Sequence, residues 1–225
     1  MTFLDTLFNR KLKFENRKSP SLYHYAIENP GEKSRVHLRM DADGHGTLVV
    51  NANRVMHLNP TAALMAWLLL EKVDKKDAVK AIQREYRVSA NQARNDLADF
   101  SLQLDELIRP DGACPVHELE LDTLMPFSAR PSAPYRMDLA ITYRCNNDCA
   151  HCYNARERDF PELTTEAWKG ILDKLWDLGV PHIVFTGGEA TLRHDLPELI
   201  AHAEANGQIT GLNTNARRLS DEKYV

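Results

Sequence analysis

The chain has 225 residues, 43% of them hydrophobic and 27% charged, and a formal net charge of −4. That length allows one or two domains with ample core, and the composition is that of a soluble globular protein. The charge gives no electrostatic case for nucleic acid or an anionic membrane, and no apolar run approaches membrane-spanning length.

Residues 1–34 are weakly patterned, contain Pro20, Pro30 and Gly31, and read as an N-terminal arm with one short helix. Its start mixes Phe3, Leu4, Leu7 and Phe8 with Arg10, Lys11 and Lys13. It lacks the apolar core and cleavage site of a secretory signal. From Arg35 the pattern changes. Val36 to Met40 alternates with period two, as a half-buried strand does. Asp43-Gly44 supplies hairpin-turn chemistry. Thr47 to Val50 and Arg54 to Leu58 are further strand candidates, joined at Asn51–Asn53.

Three helices are predicted next. Asn59 is a good N-cap and Pro60 suits the first helical position. The first helix runs to about Glu71 and is apolar on most faces, which marks a buried central helix. Asp74 caps the second, with Ala78, Ile82 and Tyr86 on one stripe. Ser89 and Gln92 form a capping box for the third, whose stripe is Ala93, Leu97, Phe100, Leu104 and Ile108. Strands followed by three helices predict a small α+β winged-helix-like domain over residues 35–108. A DNA-reading role for its third helix is disfavoured, because Asp96, Asp99, Asp105 and Glu106 oppose phosphate contact against Arg94 alone.

Residues 109–134 read as a linker, since Pro110, Pro115, Pro126, Pro131 and Pro134 deny it regular structure. Cys114 within it reads as a free cysteine. A second domain, 135–225, begins with a strand over Met137–Tyr143. Thr164 or Thr165 then caps a helix that ends at Gly179, followed by a strand over His182–Thr186. Pro197 opens a helix stopping at Gly207, Ile209–Asn213 is a third strand, and Ser220-Asp221-Glu222 starts a third helix. This alternation predicts parallel strands with right-handed crossovers. His182, His194 and His202 read as surface or helix-end histidines.

The chemistry-bearing stretch is Cys145-Asn-Asn-Asp-Cys149-Ala-His151-Cys152. Thiolates are soft ligands suited to iron–sulfur clusters, zinc or copper(I). Three of them on one loop can hold three corners of a four-iron cluster, with the fourth iron open. Zinc, with His151 or Cys114 as a fourth ligand, is the alternative. Clustered cysteines in a chain of this size argue for metal in a reducing cytoplasm rather than disulfides. Gly187-Gly188-Glu189 follows the apolar run Ile183–Thr186. A glycine pair is also common in ordinary tight turns, and no Walker motif follows it.

The C-x₃-C-x₂-C loop, followed by Gly187-Gly188-Glu189, resembles radical S-adenosylmethionine (radical SAM) enzymes. The resemblance implies that Cys145, Cys149 and Cys152 ligate a [4Fe–4S] cluster whose open iron binds S-adenosylmethionine. It sets His151 against the adenine, Gly187, Gly188 and Glu189 near the methionine amino group, and Asn213, Thr214 and Asn215 near the ribose. Ala190 departs from the usual proline. A second resemblance rests on Val55, Leu58, Asn59, Thr61 and Ala62, which match the pattern of PqqD-like leader-peptide recognition domains. The Asp-Gly usual after the first helix is absent, because Glu71-Lys72-Val73-Asp74 stands there.

Together the resemblances imply a cytoplasmic oxidoreductase that reductively cleaves S-adenosylmethionine to a 5′-deoxyadenosyl radical for hydrogen abstraction, in modification of a ribosomally made peptide or in cofactor maturation. Its partners would be a precursor peptide and a reductant such as a ferredoxin or flavodoxin, with no nucleic acid and no membrane. A non-catalytic peptide-binding module and a zinc-bound interaction protein are the alternatives. The family barrel resembles about six strand–helix units, of which residues 135–225 supply about two and a half. An incomplete α/β partial barrel is therefore expected, since open parallel edges are not a stable end point.

Overall fold

The computed structural model describes residues 21–29, 32–109, 131–154, 161–222 and 224. The chain divides into two compact units, Met1–Ser132 and Ala133–Val225. Cys114 and most of the proline-rich linker lie outside the described residues.

In the first unit four strands form an antiparallel sheet in chain order: β1 (Ser21–Asn29), β2 (Glu32–Met40), β3 (Gly46–Val50) and β4 (Arg54–Leu58). β1 corrects the expectation of an arm. Its alternate residues Tyr23, Tyr25 and Ile27 pack on the core. The Tyr23 ring meets Trp67 edge-on at 6.4 Å, and the Tyr25 hydroxyl donates to Glu71 at 2.9 Å. The two-residue period was present in Tyr23-His-Tyr25-Ala-Ile27, but the Pro30-Gly31 punctuation beside it reads as loop. β2 is also not half-buried. Val36, Leu38 and Met40 enter the core on one face, while His37 and Arg39 are buried on the other.

The hairpin joining β3 to β4 turns at Asn51 (φ 51) and Ala52 (φ 59), with the Asn53 amide donating to the Val50 carbonyl. Two successive positive φ values suit the right-handed twist of a hairpin. Then come α1 (Pro60–Leu70), α2 (Lys75–Glu85) and α3 (Ala90–Ile108), capped by the side chains of Asn59, Asp74 and Ser89. The capping box of α3 forms only in half, because Gln92 donates its side chain to Asp96 at 2.6 Å. α1 is buried along Ala63–Leu68 and forms the centre of the core. Lys72, just past it, takes the left-handed conformation at φ 54.

The second unit carries a three-stranded parallel sheet in the order β5 (Arg136–Thr142), β6 (His182–Gly187), β7 (Ile209–Leu212). α4 (Thr165–Asp177) and α5 (Leu196–Asn206) form the crossovers. Thr164 caps α4, and Gly179 and Gly207 take positive φ where α4 and α5 end. Leu139, Ile141, Leu172, Ile183, Phe185 and Leu199 make the core. Where a third helix was expected to start at Ser220, the described residues form a 3₁₀ turn over Arg217–Ser220. Asn215 Oδ1 accepts the Arg217 amide and Ala216 adopts φ 62, so the chain coils tightly before the Ser-Asp-Glu signal is reached.

Candidate functional site

Parallel strands point their carboxyl ends the same way, and loops leaving those ends are where α/β sheets place ligands. Here β5 leads into the cysteine loop, β6 into Gly187-Gly188-Glu189, and β7 into Asn213–Arg217. All three segments are tied together by hydrogen bonds.

The first tie is backbone. β5 carries an irregularity between Ala140 and Thr142, so that Thr142 pairs with Gly187 one residue out of step. The Thr142 carbonyl accepts the Gly188 amide, and the Arg144 carbonyl accepts the Glu189 amide, both at 2.8 Å. A Cβ on Gly187 (φ 143) would lie 2.0 Å from the Thr142 oxygen, and one on Gly188 would lie 2.4 Å from the Arg144 oxygen. The glycines are thus required by the chain's own cysteine loop lying across them. The sequence offered the cofactor or an ordinary tight turn as the reason for the glycine pair, and neither reading named the chain before Cys145 as the neighbour.

The second tie is Glu189, whose residue is 1% exposed. Oε1 accepts from the Thr191 amide (3.0 Å), the Thr191 hydroxyl (2.6 Å) and the Thr214 hydroxyl (2.7 Å). Oε2 accepts the Asn215 amide at 2.7 Å. Burial pushes this carboxyl up, but the donated hydrogen bonds outweigh burial and hold it below the usual range. The β6 turn and the β7 turn therefore share one ionised carboxylate.

The third tie reaches the cysteines' neighbours. Asn215 Nδ2 donates to Asn146 Oδ1 at 2.8 Å, and the Arg217 guanidinium donates to the Asn146 carbonyl at 3.1 Å. On the far side of the cysteines, Asn154 Nδ2 donates to the Gly187 carbonyl at 2.7 Å. Cys145 and Cys152 are half-buried and Cys149 is exposed. The Cys152 amide closes a turn onto the Cys149 carbonyl at 3.1 Å, with His151 exposed between them. Asn213 is exposed and bonds through its amide to the Phe185 carbonyl.

Sequence reasoning missed Asn146, Asn154 and Arg217, although all three stand within two residues of a named site position. Among the described residues no group of three His, Cys, Asp or Glu side chains is already arranged to hold a metal ion. The donor set nonetheless suits an iron–sulfur cluster, since the loop offers three soft sulfurs with solvent access and is anchored on both sides.

Residues 139–224 match the family model of the radical SAM superfamily, and residues 40–107 match coenzyme PQQ synthesis protein D (PqqD). In this chain a stretch similar to PqqD precedes one similar to the radical SAM superfamily. A PqqA peptide cyclase from Bradyrhizobium diazoefficiens is 44% identical over 92 residues, 40% of this chain and 24% of the relative. An Fe-coproporphyrin III synthase from Methanosarcina barkeri is 44% identical over 84 residues, 36% of this chain and 21% of the relative. The chain thus matches less than a quarter of the length of each of these two curated relatives. The structure of Streptococcus suis SuiB bound to the precursor peptide SuiA aligns with 76% of this chain and 39% of that one, at 17% identity and a TM-score of 0.46, too loose a match to argue from. No helix among the described residues is long and apolar enough to cross a membrane.

Proposed function

We propose that the chain supplies the cofactor-binding segment of a radical SAM enzyme that modifies a ribosomally made peptide. The observation that carries this reading is the convergence of three strand ends on the cysteine loop, with Glu189 as the shared anchor. Cys145, Cys149 and Cys152 would hold a [4Fe–4S] cluster. When bound, that cluster supplies the electron that splits S-adenosylmethionine into methionine and a 5′-deoxyadenosyl radical, which takes a hydrogen atom from substrate. The chain's own part is placement. Glu189 fixes the turn that Gly187 and Gly188 lay against the cysteine loop, and Asn215 and Arg217 hold Asn146 beside Cys145. His151, Asn213 and Asn215 would face the adenosine.

The two relatives, one named for a peptide and one for a porphyrin, match equally well, so the radical SAM domain alone leaves the substrate open. The PqqD match favours a peptide. Residues 35–108, with β1 added, form the recognition domain of winged-helix-like type, 109–134 its linker, and 135–225 part of a partial barrel. Among the described residues β1 pairs with β2 alone and β4 with β3 alone, so these two are the edge strands of the sheet. A peptide strand added beside one of them would gain main-chain hydrogen bonds. The reducing cytoplasm, with a ferredoxin or flavodoxin as electron donor, suits a chain of exposed and half-exposed thiols.

Anaerobic reconstitution followed by iron, sulfide and zinc analysis tests the cluster. About four irons and four sulfides per chain, with 5′-deoxyadenosine released from S-adenosylmethionine on reduction, is the expected result. Stoichiometric zinc without sulfide would select a zinc-bound interaction protein. Binding of a precursor peptide encoded beside this gene, with no adenosine product in the complete enzyme, would select a non-catalytic module.

A further inference from the structure

The three cysteines follow an incoming stem, residues 141–144, and precede a returning stem, residues 161–163, and the two stems must be held before the sulfurs can act together. The residues that close it carry no sulfur and lie outside both motifs. Arg193 follows Glu189 by one 3₁₀ turn, Ala190–Leu192, and its side chain is 5% exposed. It is bidentate to Asp195, with Nε to Oδ1 at 2.8 Å and Nη2 to Oδ2 at 2.6 Å. Its remaining donors reach the two stems of the loop. On the incoming stem Nη1 donates to the Ile141 carbonyl at 3.2 Å. On the returning stem it donates to Glu162 Oε2 at 3.3 Å, and both Nη atoms donate to the Leu163 carbonyl at 3.2 Å.

Glu162 completes the closure from the returning side. Its carboxylate accepts from Arg144 Nε at 2.8 Å and from the Thr142 hydroxyl, both on the incoming stem. The hydrogen bond from Arg144 leads the causes that hold the Glu162 carboxyl below its usual range. Two guanidinium groups thus face two carboxylates, and the set is neutral, which is what lets Arg193 and Asp195 be buried. Asp195 is held from its other side by the Thr165 hydroxyl at 2.6 Å, at the start of α4. Drawing two chain segments together costs conformational entropy that rises with the length between them. Arg193 and Glu162 meet that cost in the protein itself, before any metal is present.

We infer that Glu162 and Arg193 are positioning residues that clasp the two stems of the cysteine loop and so hold its thiols ready for the cluster. This rests on the proposed function for the identity of the cluster, but the clasp itself is a property of the metal-free chain. It also couples the loop to the glycine turn, because Arg193 and Glu189 sit on one short rigid segment.

Glu162→Gln is the discriminating variant. It removes the charge at the more exposed end of the network and leaves the buried Arg193–Asp195 pair intact. In reduced, metal-free full-length chain, iodoacetamide labelling followed residue by residue should accelerate about tenfold at the half-buried Cys145 and Cys152. It should change least at Cys149, which is already exposed, and thermal unfolding should stay near that of the parent. A general loss of fold would raise all three rates together and lower the melting temperature, so that pattern counts against the clasp. In reconstituted protein the same variant should lose iron to a chelator about tenfold faster, and Glu162→Asp should recover part of the difference. Labelling and iron-loss rates within about twofold of the parent would overturn the inference. Should the parent itself take up no iron and sulfide, the proposed function falls, while the labelling arm still decides the clasp.

Discussion

The two sheets are finished in different ways. In the first unit the strands end in hairpins that turn on positive φ at Gly44 and at Asn51-Ala52, helped by short local bonds such as Asp43 Oδ1 accepting the His45 amide and Asn51 Oδ1 accepting the Arg35 amide, and the core cluster around α1 is apolar. In the second unit the strand ends are finished by side-chain charge: Glu189 across β6 and β7, Glu162 and Arg193 across the cysteine loop. A hairpin needs only to turn. A loop that must present sulfurs at fixed positions needs its stems held from several directions, and charge-assisted hydrogen bonds supply both strength and orientation.

That contrast can be broken most sharply at Gly187. Gly187→Ala would drive a methyl group into the Thr142 carbonyl and should cost the second unit about 4 kcal/mol or more, read by chemical denaturation. Circular dichroism should show the helices of the first unit unchanged. The matching cut in the first unit is Trp67→Ala, at a fully buried core position, with an expected loss of about 3–5 kcal/mol and no change at the cysteine loop.

pH separates the units from opposite sides. The Arg193 hydrogen bond holds the Asp195 carboxyl down to about 2. A depressed carboxylate gives stability that is full above its unfolded value and drains away as pH falls toward the folded one. The second unit should therefore lose on the order of 2 kcal/mol between about pH 5 and pH 2 from this group, with Glu162 and Glu189 adding in the same direction. Burial, and then Glu71, push the Tyr25 phenol far up. A raised phenol keeps its stabilising effect below its unfolded value and loses it above, so the first unit should weaken as pH climbs past about 10. Denaturation midpoints followed by tryptophan fluorescence, with Trp67 in one unit and Trp168 and Trp176 in the other, would report each limb.

The smallest effect sharpens the comparison. Lys72 occupies a left-handed position at the end of α1 with an ordinary side chain. Lys72→Gly should stabilise the first unit by about 1 kcal/mol, measured as a raised urea midpoint.

Much of this was legible from the residues. Asn59, Asp74, Ser89 and Thr164 announce helix starts because capping is chemistry between neighbours, and Gly179 and Gly207 announce ends for the same reason. The cysteine spacing and the glycine pair marked the candidate site. What escaped was long-range. Glu162 and Arg193 are thirty-one positions apart and carry no periodic signal. That the Glu189 carboxylate ties Thr191, Thr214 and Asn215 together was equally out of reach of local spacing. β1 was lost because its alternating tyrosines stand beside turn residues, and the third helix was expected because Ser220 looks like a cap without reference to the left-handed Ala216 before it.

The offset between Ala140 and Thr142 fixes more than the meeting with Gly187. Ile141 is a surplus residue, with no counterpart across the pairing, and a surplus of this kind bends its strand and steepens the twist. Deleting Ile141 would even the count, keep Thr142 opposite Gly187 and leave all three sulfurs in place by composition, yet straighten the stem that delivers Cys145. The aim of the first sulfur is therefore set in part by a residue that carries none of its chemistry.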